Sequence, residues 1–202
     1  PAARLAAVGA LAPWGSSGGA PPPRLAGRDS VLTASLLEVV LAVAVVGTSL
    51  ALYPLLRAHG RGAALGYVAL RGLEASVILV GVVAVLPAVA RPATTAAPGL
   101  SVDVVDGLRL VHDWTFLVGP GLINPVNATV LAVLLWRRRL VPRFIPLLGL
   151  VGSVLVLGQN LAVMFGLTGT IAILVVPLFA WEISLAAHLL LRGIRPAQPT
   201  PR

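Results

Sequence analysis

The chain has 202 residues, of which 57% are hydrophobic and 11% are charged, and its mean hydropathy is +0.95. A soluble domain usually carries about 25% charged residues, so this composition excludes an ordinary soluble enzyme, and its apolar content excludes a disordered chain. The formal net charge is +8, with fifteen arginines and no lysine. Because the arginines lie mainly at the ends of apolar segments, they indicate contact with lipid headgroups and no nucleic-acid partner.

Residues 1–30 are predicted to form a Pro/Gly-rich segment on the extracytoplasmic side. This segment contains an apolar stretch, Leu5–Leu11, which is shorter than the ~20 residues needed to cross a bilayer. Ser16–Pro23 has the composition of a flexible loop. We interpret the short apolar stretch as the remainder of a further N-terminal span that is truncated or lost.

Five long apolar stretches follow and define a transmembrane domain over residues 31–192. Each is long enough to cross a ~30 Å hydrocarbon core as a helix, and continuous apolar runs exclude the alternating pattern of barrel strands. The sequence therefore predicts an all-α polytopic bundle of about five spans. The stretches are Val31–Leu56, Ala63–Val89, Leu108–Trp136, Phe144–Phe165 and Thr168–Leu191.

Arginine placement predicts the orientation of the bundle. Nine arginines share one side if every stretch spans, and the positive-inside rule places that side in the cytoplasm. Residues 193–202 would then be a cytoplasmic tail of a multi-pass protein in a bacterial cytoplasmic membrane. The nine are Arg57, Arg61, Arg137, Arg138, Arg139, Arg143, Arg192, Arg195 and Arg202.

Ionisable and amide side chains within the spans are the main functional signal, because each is costly in hydrocarbon. Arg71 and Glu74 share one face of the second span at i, i+3, Asn127 lies on the third and Glu182 on the fifth. Counted from the cytoplasmic ends, all four lie ~12 to 17 Å deep. We predict that they form one polar layer.

Two interpretations of this layer remain open. It could be a pocket for a small solute, a lipid or a proton, because two carboxylates against one guanidinium leave a surplus acid. Alternatively, the protein is a structural or accessory membrane component in which Arg71 neutralises a carboxylate and ties helices together.

The third span carries Gly119-Pro120-Gly121 and then Pro125. Each proline removes a backbone donor, so a kink or break is predicted here. Broken helices at mid-depth often line cavities in transporters, whereas a packing kink satisfied by neighbouring helices is the simpler alternative.

His112 and Asp113 form a polar pair near the outer end of the third span, and His112 is a candidate gate residue. A His-Asp pair can bind metal or move protons, but the chain has three histidines and no cysteine. We therefore expect no metal and no cofactor. No nucleophile with its base and orienting acid is evident, which favours a non-enzymatic role.

The bilayer is the one partner that the composition requires. Gly149 and Ser153 form a small-residue face on the fourth span that suits close helix packing. This face permits a homodimer without requiring one.

Several segments together resemble the bacterial membrane family called domain-of-unknown-function family 4386. Their order and spacing carry the resemblance, which extends over about residues 30–196. The segments are Ala51–Arg57, Leu70–Glu74, His112–Gly121, Val141–Pro146, Leu148–Gly152 and Pro177–Glu182.

This resemblance implies six or seven predicted spans and no established activity. It also implies that Arg71, Glu74, His112 and Glu182 are typical positions of the family. The chain departs from the pattern at its start, where members usually carry an additional span and a longer loop.

Overall fold

The computed structural model describes residues 25–89 and 100–193. The predictions made for the segment before residue 25 and for the tail after residue 193 lie outside the described residues. Within the described ranges the chain is helical and without strands, which confirms the all-α polytopic class.

Six α-helices, a π-helical segment and a 3₁₀ turn make up the described chain. In chain order they are α1 Leu25–Arg57, α2 Arg61–Val89, α3 Val102–Phe116, the π-helical segment Leu117–Ile123, α4 Asn124–Arg137, α5 Phe144–Met164, the 3₁₀ turn Ala172–Val175 and α6 Val176–Arg192.

Five helical stretches are long and apolar enough to cross a membrane. The third, Val102–Arg137, consists of α3, the π-helical segment and α4, and the fifth, Ala172–Arg192, includes the 3₁₀ turn. Large apolar side chains are exposed along these stretches, among them Leu36, Val83 and Val154. Contiguous exposed apolar surface of this kind suits contact with lipid, and the protein is accordingly an integral membrane protein.

The described chain divides into two compact units, residues 25–45 with 75–89 and 100–116, and residues 46–74 with 117–193. In the described part of the first unit, Val31 of α1 packs with Val85 and Val89 of α2. Gly81 of α2 is a second close approach, since a Cβ there would collide with the Thr115 hydroxyl.

The second unit has a larger apolar core. Trp181 and Leu178 of α6 pack against α5, where Gly149 and Gly152 leave room for them. A Cβ on Gly152 would lie 2.6 Å from the Leu178 Cα, and one on Gly149 would lie 2.8 Å from the Trp181 ring. The small-residue face predicted for a homodimer is thus covered by α6 of the same chain, and a homodimer stays a prediction that needs another face.

Candidate functional site

The buried polar groups of the second unit centre on Arg71 of α2. Its Nη1 donates to Glu74 Oε2 at 3.0 Å, one turn along the same helix. The guanidinium also lies 5.7 Å from the centre of the Tyr67 ring, a cation–π distance. Only 12% of the Arg71 side chain and 4% of the Glu74 side chain are exposed.

Asn127 of α4 joins this pair from a second helix and is fully buried. Its amide nitrogen donates a hydrogen bond to the Tyr67 carbonyl oxygen at 3.3 Å. Its amide oxygen accepts a hydrogen bond from Arg71 Nε at 2.8 Å. This orientation satisfies both ends of the amide, because the reverse one would set donor against donor. The Asn127 amide therefore links α4 to the guanidinium and to the backbone of α2.

Glu182 of α6 is the fourth predicted member. It is partly buried and attracts the guanidinium of Arg71 electrostatically. The structure thus brings Arg71, Glu74 and Asn127 together by hydrogen bonds and holds Glu182 in their electrostatic field. We call these four residues the Arg71 cluster.

The Gly-Pro segment of the third span remains helical and adopts π geometry, and Gly119, Pro120 and Gly121 are buried. Pro125 lacks the N–H that would bond the carbonyl four residues earlier. Asn160 of α5 supplies a replacement, because its Nδ2 donates to the Gly121 carbonyl at 3.0 Å. The helix therefore changes its winding here without leaving a helical conformation, and the lost backbone bond is satisfied from α5.

His112 lies in the first unit, where the structure pairs it with a carboxylate that sequence reasoning left out of the candidate site. Its Nε2 lies 3.1 Å from Glu38 Oε2 and 3.2 Å from Oε1. Both side chains are buried, with 5% and 1% exposed. The other ring nitrogen, Nδ1, lies 3.6 Å from Asp113 Oδ1, which belongs to a 58% exposed side chain.

The position of each residue along its span is the sequence feature that could have indicated this pair. Glu38 lies in the first third of the span Asp29–Arg57, and His112 in the first third of Val102–Arg137. Both positions therefore lie towards the side of the membrane that the arginine placement predicts to be the outer one. Sequence periodicity alone does not say which faces of two helices meet, so the contact itself was not predicted.

Among the described residues, no three His, Asp or Glu side chains converge as ligands for a metal ion. The side chains of the two polar groups can form hydrogen bonds, pair charges and exchange protons.

Comparison with known proteins places this chain in a family. The model of a family described as a domain of unknown function, DUF4386, matches residues 23–193. No curated protein matches the chain, and no solved structure matches it.

Proposed function

We propose that this chain, which belongs to the family of the domain of unknown function DUF4386, reversibly binds a proton or a small cation at the Arg71 cluster. The observation that carries this proposal is the charge of the cluster. One guanidinium is paired with Glu74 and is attracted electrostatically by a second carboxylate, Glu182. When both acids are ionised, the cluster has a net negative charge, and a bound proton or cation would neutralise it.

The two carboxylates have different tasks. Glu74 holds Arg71 through a short bond on the same helix and compensates its charge. Glu182 forms no direct ion pair with Arg71 among the described residues, and it acts on the guanidinium through electrostatic attraction. Because an uncompensated charge is costly in an apolar interior, the second carboxylate gains most from a bound proton or cation, and we assign the exchange to Glu182.

The alternative is a structural or accessory membrane component, and one observation favours it. Asn127 bridges Arg71 and the Tyr67 carbonyl from another helix, as interhelical polar contacts do in membrane bundles. In that case the cluster would hold α2 to α4, and Glu182 would bind nothing. The two functions differ in whether Glu182 changes its charge.

Infrared difference spectroscopy of the full chain in liposomes tests this directly. Between acidic and neutral pH, the wild type should lose a carboxylic-acid band that is missing from Glu182→Gln. The matched control is Asp106→Asn, which removes an exposed carboxylate of α3 and should leave that band in place. If Glu182→Gln shows the same band as the wild type, Glu182 does not bind a proton.

A second arm distinguishes a cation from a proton. Trp181 precedes Glu182 and is 1% exposed, so its fluorescence can report a change of charge beside it. Methylammonium added at constant pH should change this emission if a small cation binds, and the change should disappear in Glu182→Gln. A response to pH alone identifies the proton, and no response to either supports the structural alternative. Trp181→Phe identifies the emission of this residue.

The membrane and orientation of the protein are part of the proposal. Arg57, Arg61 and Arg143 are exposed at helix ends that the positive-inside rule assigns to the cytoplasm. Under that rule the C-terminus lies in the cytoplasm of a bacterial cell, and the membrane is the cytoplasmic one. A reporter active only outside the cytoplasm should be silent when fused after residue 202, and its activity there would reverse the orientation.

A further inference from the structure

The first unit contains three acid–base side chains in a row that the proposed function does not use. They are Asp113, His112 and Glu38, and the imidazole stands between the two carboxylates. Its Nδ1 faces the exposed Asp113 at 3.6 Å, and its Nε2 faces the buried Glu38 at 3.1 Å. An imidazole can accept a proton at one nitrogen and release one from the other.

We propose that Asp113, His112 and Glu38 form a proton relay between the membrane surface and a buried carboxylate. The relay is independent of the Arg71 cluster, since none of its residues belongs to that cluster. Its ligand is a proton, and its terminal acceptor is Glu38.

The burial gradient gives the relay its direction. Asp113 has 58% of its side chain exposed, His112 5% and Glu38 1%. The helical stretch Val102–Arg137 has 36 residues, well beyond the ~20 needed to cross the hydrocarbon. His112 and Asp113 lie in its first third, so Asp113 is placed to exchange protons with water at the headgroups.

The transfer step balances without any further reactant. Asp113 takes a proton from water and passes it to His112 Nδ1. The proton on Nε2 then moves to Glu38 Oε2, which leaves a neutral imidazole that carries its hydrogen on Nδ1. The reverse sequence of steps returns the proton and restores the starting tautomer. The 3.6 Å gap to Asp113 exceeds a hydrogen bond, so a small rotation of this exposed side chain accompanies the first transfer.

The surroundings of Glu38 are suited to both of its charge states. Ser35 lies one turn earlier on α1, is buried, and its Oγ has no hydrogen-bond partner among the described residues. A hydroxyl can donate to an ionised carboxylate and accept from a protonated one. Ser35 and Glu38 share one face of α1 at i, i+3, so the hydroxyl lies on the same side of the helix as the carboxylate.

Arg109 is a further charge at the relay. On α3, Arg109 Nε lies 3.9 Å from Asp113 Oδ2, so it faces the exposed end. From α2, residues 75–89 contribute no titratable side chain. Gly81 lets that helix approach, because a Cβ there would lie 3.4 Å from His112 Cδ2. The Phe116 ring also lies beside the imidazole, with 4.9 Å between the ring centres.

The test measures how fast the ring hydrogens of His112 exchange with water. The full chain is labelled with ¹⁵N-histidine and placed in phospholipid nanodiscs, and the variant His112→Gln identifies the signal. Asp113→Asn should slow this exchange by about tenfold or more, because it removes the acid–base group at the entrance. Asp113→Glu should restore it, and Asp106→Asn, which removes an exposed carboxylate from the same helix, should leave it unchanged.

A purely structural pair gives a different result. Asp113 is exposed, so Asp113→Asn should keep the wild-type melting temperature whether or not the relay exists. Exchange at the wild-type rate in Asp113→Asn would overturn the relay. A carboxylic-acid infrared band that exchanges with D₂O, disappears in Glu38→Gln and persists in Glu182→Gln supports Glu38 as the acceptor, and its persistence in Glu38→Gln would contradict that assignment.

Discussion

The Arg71 cluster and the Glu38–His112 pair are both buried polar groups among apolar helices, yet they hold their charges differently. Arg71 is charged at any accessible pH, and its carboxylate Glu74 comes from the same helix. His112 can be neutral or charged, and its carboxylate comes from another helix. A permanent cation needs a permanent counter-charge, whereas a switchable imidazole can pass a proton on.

The two polar groups also differ in how firmly their side chains are held. The Arg71 guanidinium donates to the Asn127 amide oxygen through Nε and to Glu74 through Nη1, so Arg71 has little freedom to move. His112 meets the Glu38 carboxylate at its Nε2, and its Nδ1 faces an exposed side chain that can rotate. We therefore expect the Arg71 cluster to dominate stability and the Glu38–His112 pair to dominate exchange.

Removing the guanidinium should have the largest effect on stability. Arg71→Ala leaves Glu74 buried without its cation, and the loss of one partner from a buried ion pair costs about 3 to 5 kcal/mol. The free energy of unfolding in detergent measures this, with Arg57→Ala as the control because Arg57 is exposed. If both variants lose the same small amount, the Arg71 cluster does not stabilise the fold.

The Glu38–His112 contact should show a smaller but specific coupling. A double-mutant cycle with Glu38→Gln and His112→Gln should give an interaction energy of roughly 0.5 to 3 kcal/mol, as for other groups in direct contact. The Glu38→Gln and Asp106→Asn pair supplies the control, and its effects on the free energy of unfolding should add. Additive effects for Glu38 and His112 as well would show that their contact contributes nothing.

The sequence predicted the helices of both units because the bilayer restricts the choice. An apolar run of about twenty residues in lipid must satisfy its backbone internally, and a helix does so. The polar layer around Arg71 and Asn127 was predicted from depth, since residues equally far from helix ends can meet. The depth of a residue in the membrane does not show which face of its helix meets a neighbouring helix. The contact between His112 and Glu38 was therefore not predicted.

The small-residue face on α5 also shows that sequence alone does not identify which helix packs against a given face. Gly149 and Ser153 indicate that a helix packs closely there, but the pattern does not say whether that helix belongs to the same chain. The structure places Trp181 of α6 against Gly149. Likewise, the prolines of the third span predicted a kink, but not that the Gly121 carbonyl accepts a hydrogen bond from Asn160, which lies on another helix.

Close helix packing in the second unit should tolerate little added volume. Gly152→Ala brings a methyl group against the Leu178 backbone, which cannot move aside as a flexible side chain can, and overpacking costs about 1 to 3 kcal/mol. Gly158→Ala is the matched control on the same helix, since its Cβ would meet nothing within 4 Å. Because alanine favours helices over glycine, the control should be neutral or slightly stabilising in the same unfolding measurement. Equal stability of the two variants would contradict the packing of α6 on Gly152.

The hydrogen bond from Asn160 to the π-helical segment should contribute least, because a neutral hydrogen bond adds only about 1 kcal/mol. Asn160→Ala removes the donor for the Gly121 carbonyl, while Pro125→Ala restores a backbone N–H that can bond the same oxygen. In the Pro125→Ala background, Asn160→Ala should therefore lower the free energy of unfolding by less than it does in the wild type. Asn160 Nδ2 also donates to Val156 O at 2.8 Å, and that part of the loss should remain in both backgrounds. An identical loss in both backgrounds would mean that the proline does not create the need for Asn160, and that the π-helical winding arises from the Gly119–Gly121 segment alone.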